Sequence, residues 1–290
     1  MTTGHNTGIR RRLPEGWIAA AFLAPAVIAM VVLRLAPTAN ALWVSLQTPQ
    51  GLGFGNYHFL FTDPEFLGAV RITLLFTLLV NPIQIAIALA LAVLLAEHVP
   101  AAGLWRTLIL LPVAVPQSVS AIIWGVILRP DGPLNAVAHA IGLPEQPFLT
   151  SQLQSLPCII LVCSWVGVGY WMTFLIAGLK DISASLYEAA AIDGASAWQR
   201  FIHITLPQLR RPLTFVLVAD TVANFLVFAP VQILTKGGPD GSSNLIMNEI
   251  YTRAFISGDT TGAAAATMVL VAVVICVVAI QFRLMTDSAG

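Results

Sequence analysis

Residues 180–212 read KDISASLYEAAAIDGASAWQRFIHITLPQLRRP, a polar stretch set between two apolar runs at about 153 to 178 and 212 to 234. A bilayer is crossed by about 20 mainly apolar residues, so each run can span one and the polar stretch is the loop between them. Within it, Ser185-Leu186-Tyr187-Glu188 has capping-box spacing and leads into the helix formers Ala189-Ala190-Ala191-Ile192. Asp193-Gly194 supplies a stop, because glycine tolerates the left-handed backbone at a helix end. A second Ser-x-x-Gln, Ser196 to Gln199, caps another helix that carries Trp198, Phe201, Ile202 and Ile204 and is ended by Leu206-Pro207. The expected form is helix, sharp turn, helix, with apolar side chains that need a partner to cover them.

Outward from this loop the same oil-and-turn pattern repeats. Apolar runs of spanning length occur at about 17 to 44, 70 to 95, 107 to 128, 153 to 178, 212 to 234 and 260 to 282. Between them lie breakers such as Pro130-Asp131-Gly132-Pro133 and Lys236-Gly237-Gly238-Pro239-Asp240-Gly241. The expectation is an all-α integral membrane protein of six transmembrane helices. Composition agrees: of 290 residues 57% are hydrophobic and 10% charged, the mean hydropathy is +0.83, and a soluble domain carries roughly 25% charged residues. With Lys plus Arg and Asp plus Glu both at 14, no charge excess points to nucleic acid or an acidic partner.

Position of charge matters more than its sum. Arg10, Arg11, Arg12, Arg106, Lys180, Arg200, Arg210, Arg211 and Arg283 fall on one side, and Arg34, Arg71, Arg129, Lys236 and Arg253 on the other. The positive-inside bias then puts both termini in the cytoplasm. The expected organisation is a cytoplasmic segment 1–16, a six-helix domain 17–282 that includes the cytoplasmic loop 180–212, and a tail 283–290. Cys158, Cys163 and Cys276 lack metal-ligand spacing and read as small packing residues, and no metal site is expected. Pro82, Pro112, Pro116 and Pro230 inside spans free backbone groups that hydrocarbon cannot satisfy, as helices lining a pathway do; the competing reading of any one of them is a simple packing kink.

The loop carries EAAxxDGAxxxxxFxxIxLPxxxxP, supplied by Glu188, Ala189, Ala190, Asp193, Gly194, Ala195, Phe201, Ile204, Leu206, Pro207 and Pro212. This resembles the EAA loop of the permease subunits of binding-protein-dependent ABC importers. Gly55-Asn56-Tyr57 through Phe61-x-Asp63, Gly178-Leu179, Leu234-Thr235-Lys236-Gly237-Gly238-Pro239 and Ile250-Tyr251 through Ala254-Phe255 are similar to the subfamily that imports sugars and glycerol phosphate compounds, the maltose-permease large-subunit type. The resemblance implies the type I importer permease fold in a bacterial or archaeal cytoplasmic membrane. It implies a second homologous permease, two ATPase subunits that bind ATP and Mg, and an extracellular substrate-binding protein as partners. It also implies a coupling role for Tyr187, Glu188, Ala189, Ala190, Asp193, Gly194, Ala195 and Pro207.

An ionisable residue in a span costs about 2.5–3.5 kcal/mol on insertion scales, so Asp220 needs a reason. Asn224 follows one turn on and Phe228 another. A carboxylate, an amide and an aromatic ring on one stripe suit a polyhydroxylated solute. The resemblance adds Trp165, Gly167 and Tyr170 as pathway residues, and sets Val227 where maltose permeases carry a second amide. The competing reading of Asp220 and Asn224 is hydrogen bonding between helices, and that of Trp165 and Tyr170 an aromatic interface belt.

The chain holds no Gly-x-x-x-x-Gly-Lys-Ser/Thr phosphate loop, and Lys180 and Lys236 stand in no such context. It is therefore expected to bind no cofactor and catalyse nothing itself. An ion-driven secondary transporter would favour inverted repeats and several intramembrane charges. A membrane-embedded transferase would call for paired acidic or His-rich motifs. Neither pattern is found.

Overall fold

The computed structural model describes residues 15–96 and 100–287. Arg10, Arg11 and Arg12, on which the orientation partly rests, lie outside the described residues, as do 97–99 and 288–290. Helix α1 (Glu15–Met30) continues through a wide π turn into α2 (Ala36–Ser45), and a two-stranded ribbon, Gln47–Thr48 and Gly51–Leu52, leads to short α3 (Gly55–Leu60). Long α4 (Pro64–Ala96) is followed by α5 (Ala102–Leu110), α6 (Gln117–Ile127), α7 (Pro133–Ala140) and α8 (Ser155–Lys180). The 180–212 loop forms α9 (Ala184–Ile192), α10 (Ala197–Arg200) and α11 (Leu206–Gln208). Then come α12 (Arg210–Phe225), α13 (Ala229–Leu234), α14 (Ile246–Tyr251) and α15 (Thr260–Asp287).

Five described helical stretches are long and apolar enough to cross a membrane: 20–45, 64–96, 155–180, 210–234 and 260–284. The stretch expected as one span at 107 to 128 is sharply bent. It is not one helix but two, 102–114 and 117–127, meeting at 98°. Pro112 and Pro116 explain the break: each lacks an N–H donor, and the residue before Pro116, Val115, is extended at φ −91°, ψ 126°. The fifth run is also interrupted, because α12 ends at Phe225 and Pro230 starts α13 afresh.

The core lies where α4, α8 and α12 meet. Ala88 and Ala92 of α4 pack with Met172 and Leu175 of α8 and Val216 of α12, all buried. Small alanines let the helix axes approach closely, the main source of attraction between helices in lipid. Phe76 and Val80 meet Ile159 and Ile160 one layer away, and Ala265, Ala266 and Leu270 of α15 close a third cluster on Phe66 and Phe225. The first span is different: none of its most apolar window is buried, and Phe22 is 82% exposed. A helix apolar all round and uncovered by its own chain belongs in lipid or against another subunit.

Several residues that carry the family resemblance do folding work. Asn56 donates to the carbonyls of Ser45 and Gln47 at 2.8 Å, and Tyr57 shares a 2.6 Å hydrogen bond with Ser45. Arg253 is clamped between Asp63 and Glu249, with Asp259 at 3.8 Å. Burial opposes its charge, but the bonds to Asp63 and Glu249 outweigh that and raise its pKa further.

The bent pair is held against α8 at Gly169, where a Cβ would stand 2.4 Å from the Ile109 carbonyl oxygen. Gly169→Val should therefore lower the melting temperature of the detergent-solubilised protein, by an overpacking cost of about 1–3 kcal/mol. An unchanged melting curve would show that α5 is not seated on α8 in this way.

Candidate functional site

The loop is the first site. Helix α9 starts two residues earlier than the sequence suggests, with Ser183 at its N-cap, so Ser185 and Glu188 do not form the expected capping box. Its end follows the sequence reading. Gly194 sits at φ +77°, its N–H bonds the Ala191 carbonyl at 3.1 Å, and the Ala195 N–H bonds that of Ala190 at 2.9 Å. This is a Schellman ending, which needs the left-handed backbone. Nothing lies within 4 Å of a Cβ built on Gly194, so the glycine serves conformation, not space.

The second box is present: Gln199 N–H donates to Ser196 Oγ at 3.3 Å and Ser196 N–H to Gln199 Oε1 at 2.8 Å. The following helix corrects another expectation, since it runs through Pro207 to Gln208 instead of ending there. A π turn at 201–205, closed by the Leu206 N–H onto the Phe201 carbonyl, widens the helix just where proline cannot donate. The Tyr187 hydroxyl lies 2.9 Å from Thr205 Oγ1 and ties α9 to this second helix. Glu188, Ala189, Asp193, Gly194 and Pro207 are exposed, while Ala190 and Ala195 are half-buried. Ala190, Asp193, Gly194 and Ala195 edge a concavity of about 360 Å³, and Ile192 and Trp198 stand 87% and 68% exposed beside it.

The second site lies among the spans. Asp220 is 1% exposed. Its Oδ1 accepts from the Trp171 indole N–H at 2.6 Å and from Asn224 Nδ2 at 2.9 Å. With the Gln84 amide oriented to satisfy both of its ends, its nitrogen donates to the same oxygen at 2.7 Å. Asn224 also donates to Asn81 Oδ1 at 2.8 Å, Asn81 donates to Thr221 Oγ1 at 2.7 Å, and Gln281 donates to Thr221 at 2.8 Å. The network thus joins α4, α8, α12 and α15.

Beside it opens a cavity of about 270 Å³ bordered by Asp220, Asn224, Gly167 and Tyr170, together with Gln84, Gln117, Trp171 and Val227. Gly167 is small because the Gln84 amide occupies its Cβ position at 2.9 Å. Four of the six pathway residues expected from sequence therefore surround one space. The other two do not join them. Trp165 is not among the cavity's lining residues and packs edge-on to Trp124 at 5.8 Å. Phe228 leaves the stripe because α12 has already ended, and its ring lies 4.8 Å from Tyr251. Sequence reasoning missed Trp171, Asn81 and Gln84. The signal for the last two was available, since two amides three residues apart in an apolar run share a face.

Comparison with known proteins follows this geometry. Residues 84–287 match the family described as binding-protein-dependent transport system inner membrane component. The chain is 33% identical to the sn-glycerol-3-phosphate transport system permease protein UgpA of Pectobacterium atrosepticum, over 96% of this chain and 97% of that one. It is 33% identical to the lactose transport system permease protein LacF of Rhizobium radiobacter, over 88% of each. A chain of a bacterial alginate ABC transporter, solved in complex with an alginate pentasaccharide-bound periplasmic protein, shares the fold. Its TM-score is 0.83 at 24% identity, covering 92% of this chain and 93% of that one.

Asp220→Ala would strand three buried donors, at about 1–3 kcal/mol for each group left unpaired. Asp220→Asn keeps the shape and one acceptor. Melting temperatures in detergent should fall in the order wild type, Asn, Ala; an Ala variant melting with the wild type would rule out a structural role for the carboxylate.

Proposed function

The chain belongs to the family of inner-membrane components of binding-protein-dependent transport systems, and from that premise we propose that it forms half of the translocation pathway of an ATP-driven sugar importer. It is a multi-pass membrane transport subunit, not an enzyme. The observation that carries the reading is that the matched stretch 84–287 contains both the helix–turn–helix loop and the polar cavity among the spans. One is shaped to receive force and the other to hold a solute.

In this reading the five long stretches and the bent pair make six spans, with both termini and the 180–212 loop in the cytoplasm of a bacterial or archaeal cell. The division into segment 1–16, domain 17–282 and tail 283–290 goes with it. Arg106, Lys180, Arg200, Arg210, Arg211 and Arg283 then lie on the cytoplasmic side, as the positive-inside bias requires. A second permease completes the pore and covers the apolar faces left open here. Two ATPase subunits bind ATP and Mg, and each receives an EAA loop. Here Tyr187, Ala190 and Ala195 shape the turn, Glu188, Ala189, Asp193 and Gly194 present it, and Pro207 closes its second helix. An extracellular binding protein delivers the solute, and the alginate transporter chain of the same fold, solved with its periplasmic protein, supports that arrangement.

The solute is a sugar or sugar derivative. Names of the relatives include both a phosphate ester and a neutral disaccharide, and the cavity favours the second. Its lining supplies a carboxylate, three amides and the Tyr170 ring, but neither Lys nor Arg. Hydroxyls and a sugar ring face find partners there, whereas a phosphate would find no cation to offset its charge.

Proteoliposomes containing the whole complex should take up labelled lactose, supplied with its binding protein, only when ATP is present inside. sn-Glycerol-3-phosphate should be carried at least about tenfold more slowly, a difference of roughly 1.4 kcal/mol. Gly194→Pro, which cannot adopt φ +77° and removes a bonded N–H, should insert normally but abolish uptake. Uphill transport by this chain alone on a proton or sodium gradient would refute the reading.

A further inference from the structure

A chain of hydrogen bonds with a fixed polarity starts at Arg253 and ends in a cavity that the deep site does not use. A guanidinium can only donate, and Arg253 Nε gives a 2.8 Å bond to Glu249 Oε1. Glu249, ionised beside that charge, can only accept, so its Oε2 takes the Asn244 amide nitrogen at 3.0 Å. The Asn244 oxygen is thereby turned to the Asn248 nitrogen, at 2.8 Å. What remains at the end is the Asn248 oxygen, on a side chain only 2% exposed and with no hydrogen-bond partner among the described residues. The charge at the far end of the chain makes this end an acceptor. Such a buried acceptor costs about 1–3 kcal/mol unless a donor meets it.

Asn244, Asn248 and Glu249 border a cavity of about 740 Å³ between the first turns of α4, α14 and the 236–244 loop. Small-molecule sites occupy roughly 300–1,000 Å³. Its walls carry both signs of charge: Arg71 and Lys236, both exposed, and the carboxylates of Glu65, Asp240 and Glu249. This is not the deep cavity seen from another side, since the two share no lining residue. Ile72 on the wall of one, and Cys163 and Val227 on the wall of the other, pack on a single apolar cluster with Phe76 and Val231.

We propose that this cavity is a second sugar site, an outer subsite that holds the neutral, hydroxylated solute before it reaches the deep cavity. This rests on the importer reading, in which Arg71 and Lys236 lie on the outer side. A hydroxyl is donor and acceptor at once, so one sugar can give a hydrogen bond to the Asn248 oxygen and take others from Arg71 and Lys236. A phosphate ester would bring its charge to a wall where three carboxylates outnumber two cations, and an ammonium would meet those cations. Walls of both signs, ending in an acceptor that lacks its donor, suit an uncharged ligand with many hydroxyls.

Protection from a thiol reagent, in the whole complex without its binding protein, tests the subsite. With Ser242→Cys on the cavity wall, the membrane-impermeant reagent 2-sulfonatoethyl methanethiosulfonate, added to the outer side, should react above the blank set by the parent complex. Saturating lactose should slow that reaction at least about fivefold, and sn-glycerol-3-phosphate at the same concentration by about twofold or less. Asn248→Leu, which removes the acceptor at similar volume, should abolish the protection. Should that variant fail to assemble, Arg71→Met, at an exposed position, should weaken the protection at least about threefold. No reaction without sugar would show the wall covered by another subunit and overturn the proposal. Equal reaction with and without lactose, equal protection by the phosphate ester, or protection unchanged in the variants would do the same. In ATP-driven uptake, Asn248→Leu should raise about fivefold the concentration of lactose-loaded binding protein that gives half the maximal rate, with the maximal rate kept within about twofold; an unchanged half-saturation overturns the role in transport. A wild-type complex that carries no lactose on ATP would end the importer reading, whereas lactose uptake without protection at position 242 would sink the subsite alone.

Discussion

A carboxylate that is 1% exposed has to be answered by the protein, and here Asp220 is answered by three donors from three directions. Trp171 comes from α8, Asn224 from its own helix and Gln84 from α4. The apolar contacts around this point, such as those of Ala88, Ala92, Val168 and Val216, are not directional and by themselves discriminate weakly between neighbouring registers. Hydrogen bonds that must be made, because leaving one open in a low-dielectric setting is costly, select one register among them. The same network reaches α15 through Thr221 and Gln281, so the last span is tied to it as well.

Of the two readings of Asp220, the structure shows the hydrogen bonding between helices. The same carboxylate borders the cavity to which the proposed function assigns the solute. Placing a site on such a point makes it rigid, since each lining side chain is held by another. Gly167 shows how close the fit is, because its missing side chain is what lets the Gln84 amide approach.

Local chemistry was legible in the sequence where its cause was local. Gly194 and the Ser196 to Gln199 box turn the loop for reasons contained within six residues, and the structure shows both. The helix start at Ser183 was misread by two residues because two serines offer themselves and the sequence alone does not rank them. Pro112 and Pro116 were legible as breakers in the third span, but not the sharpness of the bend that they make together, 98°. Phe228 was placed on a stripe that ends at Phe225, an error of assuming that helical periodicity outlasts a following proline. Trp171 was out of reach for another reason: its partner is 49 positions away, and only the crossing of α8 and α12 brings them together.

Proline in the second half of the loop ordinarily marks a weak point, where a rod bends under load. The wide turn at 201–205 removes that weakness by giving Pro207 a place in an unbroken helix, which then reaches Leu209, a side chain with no exposed surface. In the coupling role proposed for the loop, this continuous helix with its seated end is the strut through which a push at Gly194 would reach the base of α12.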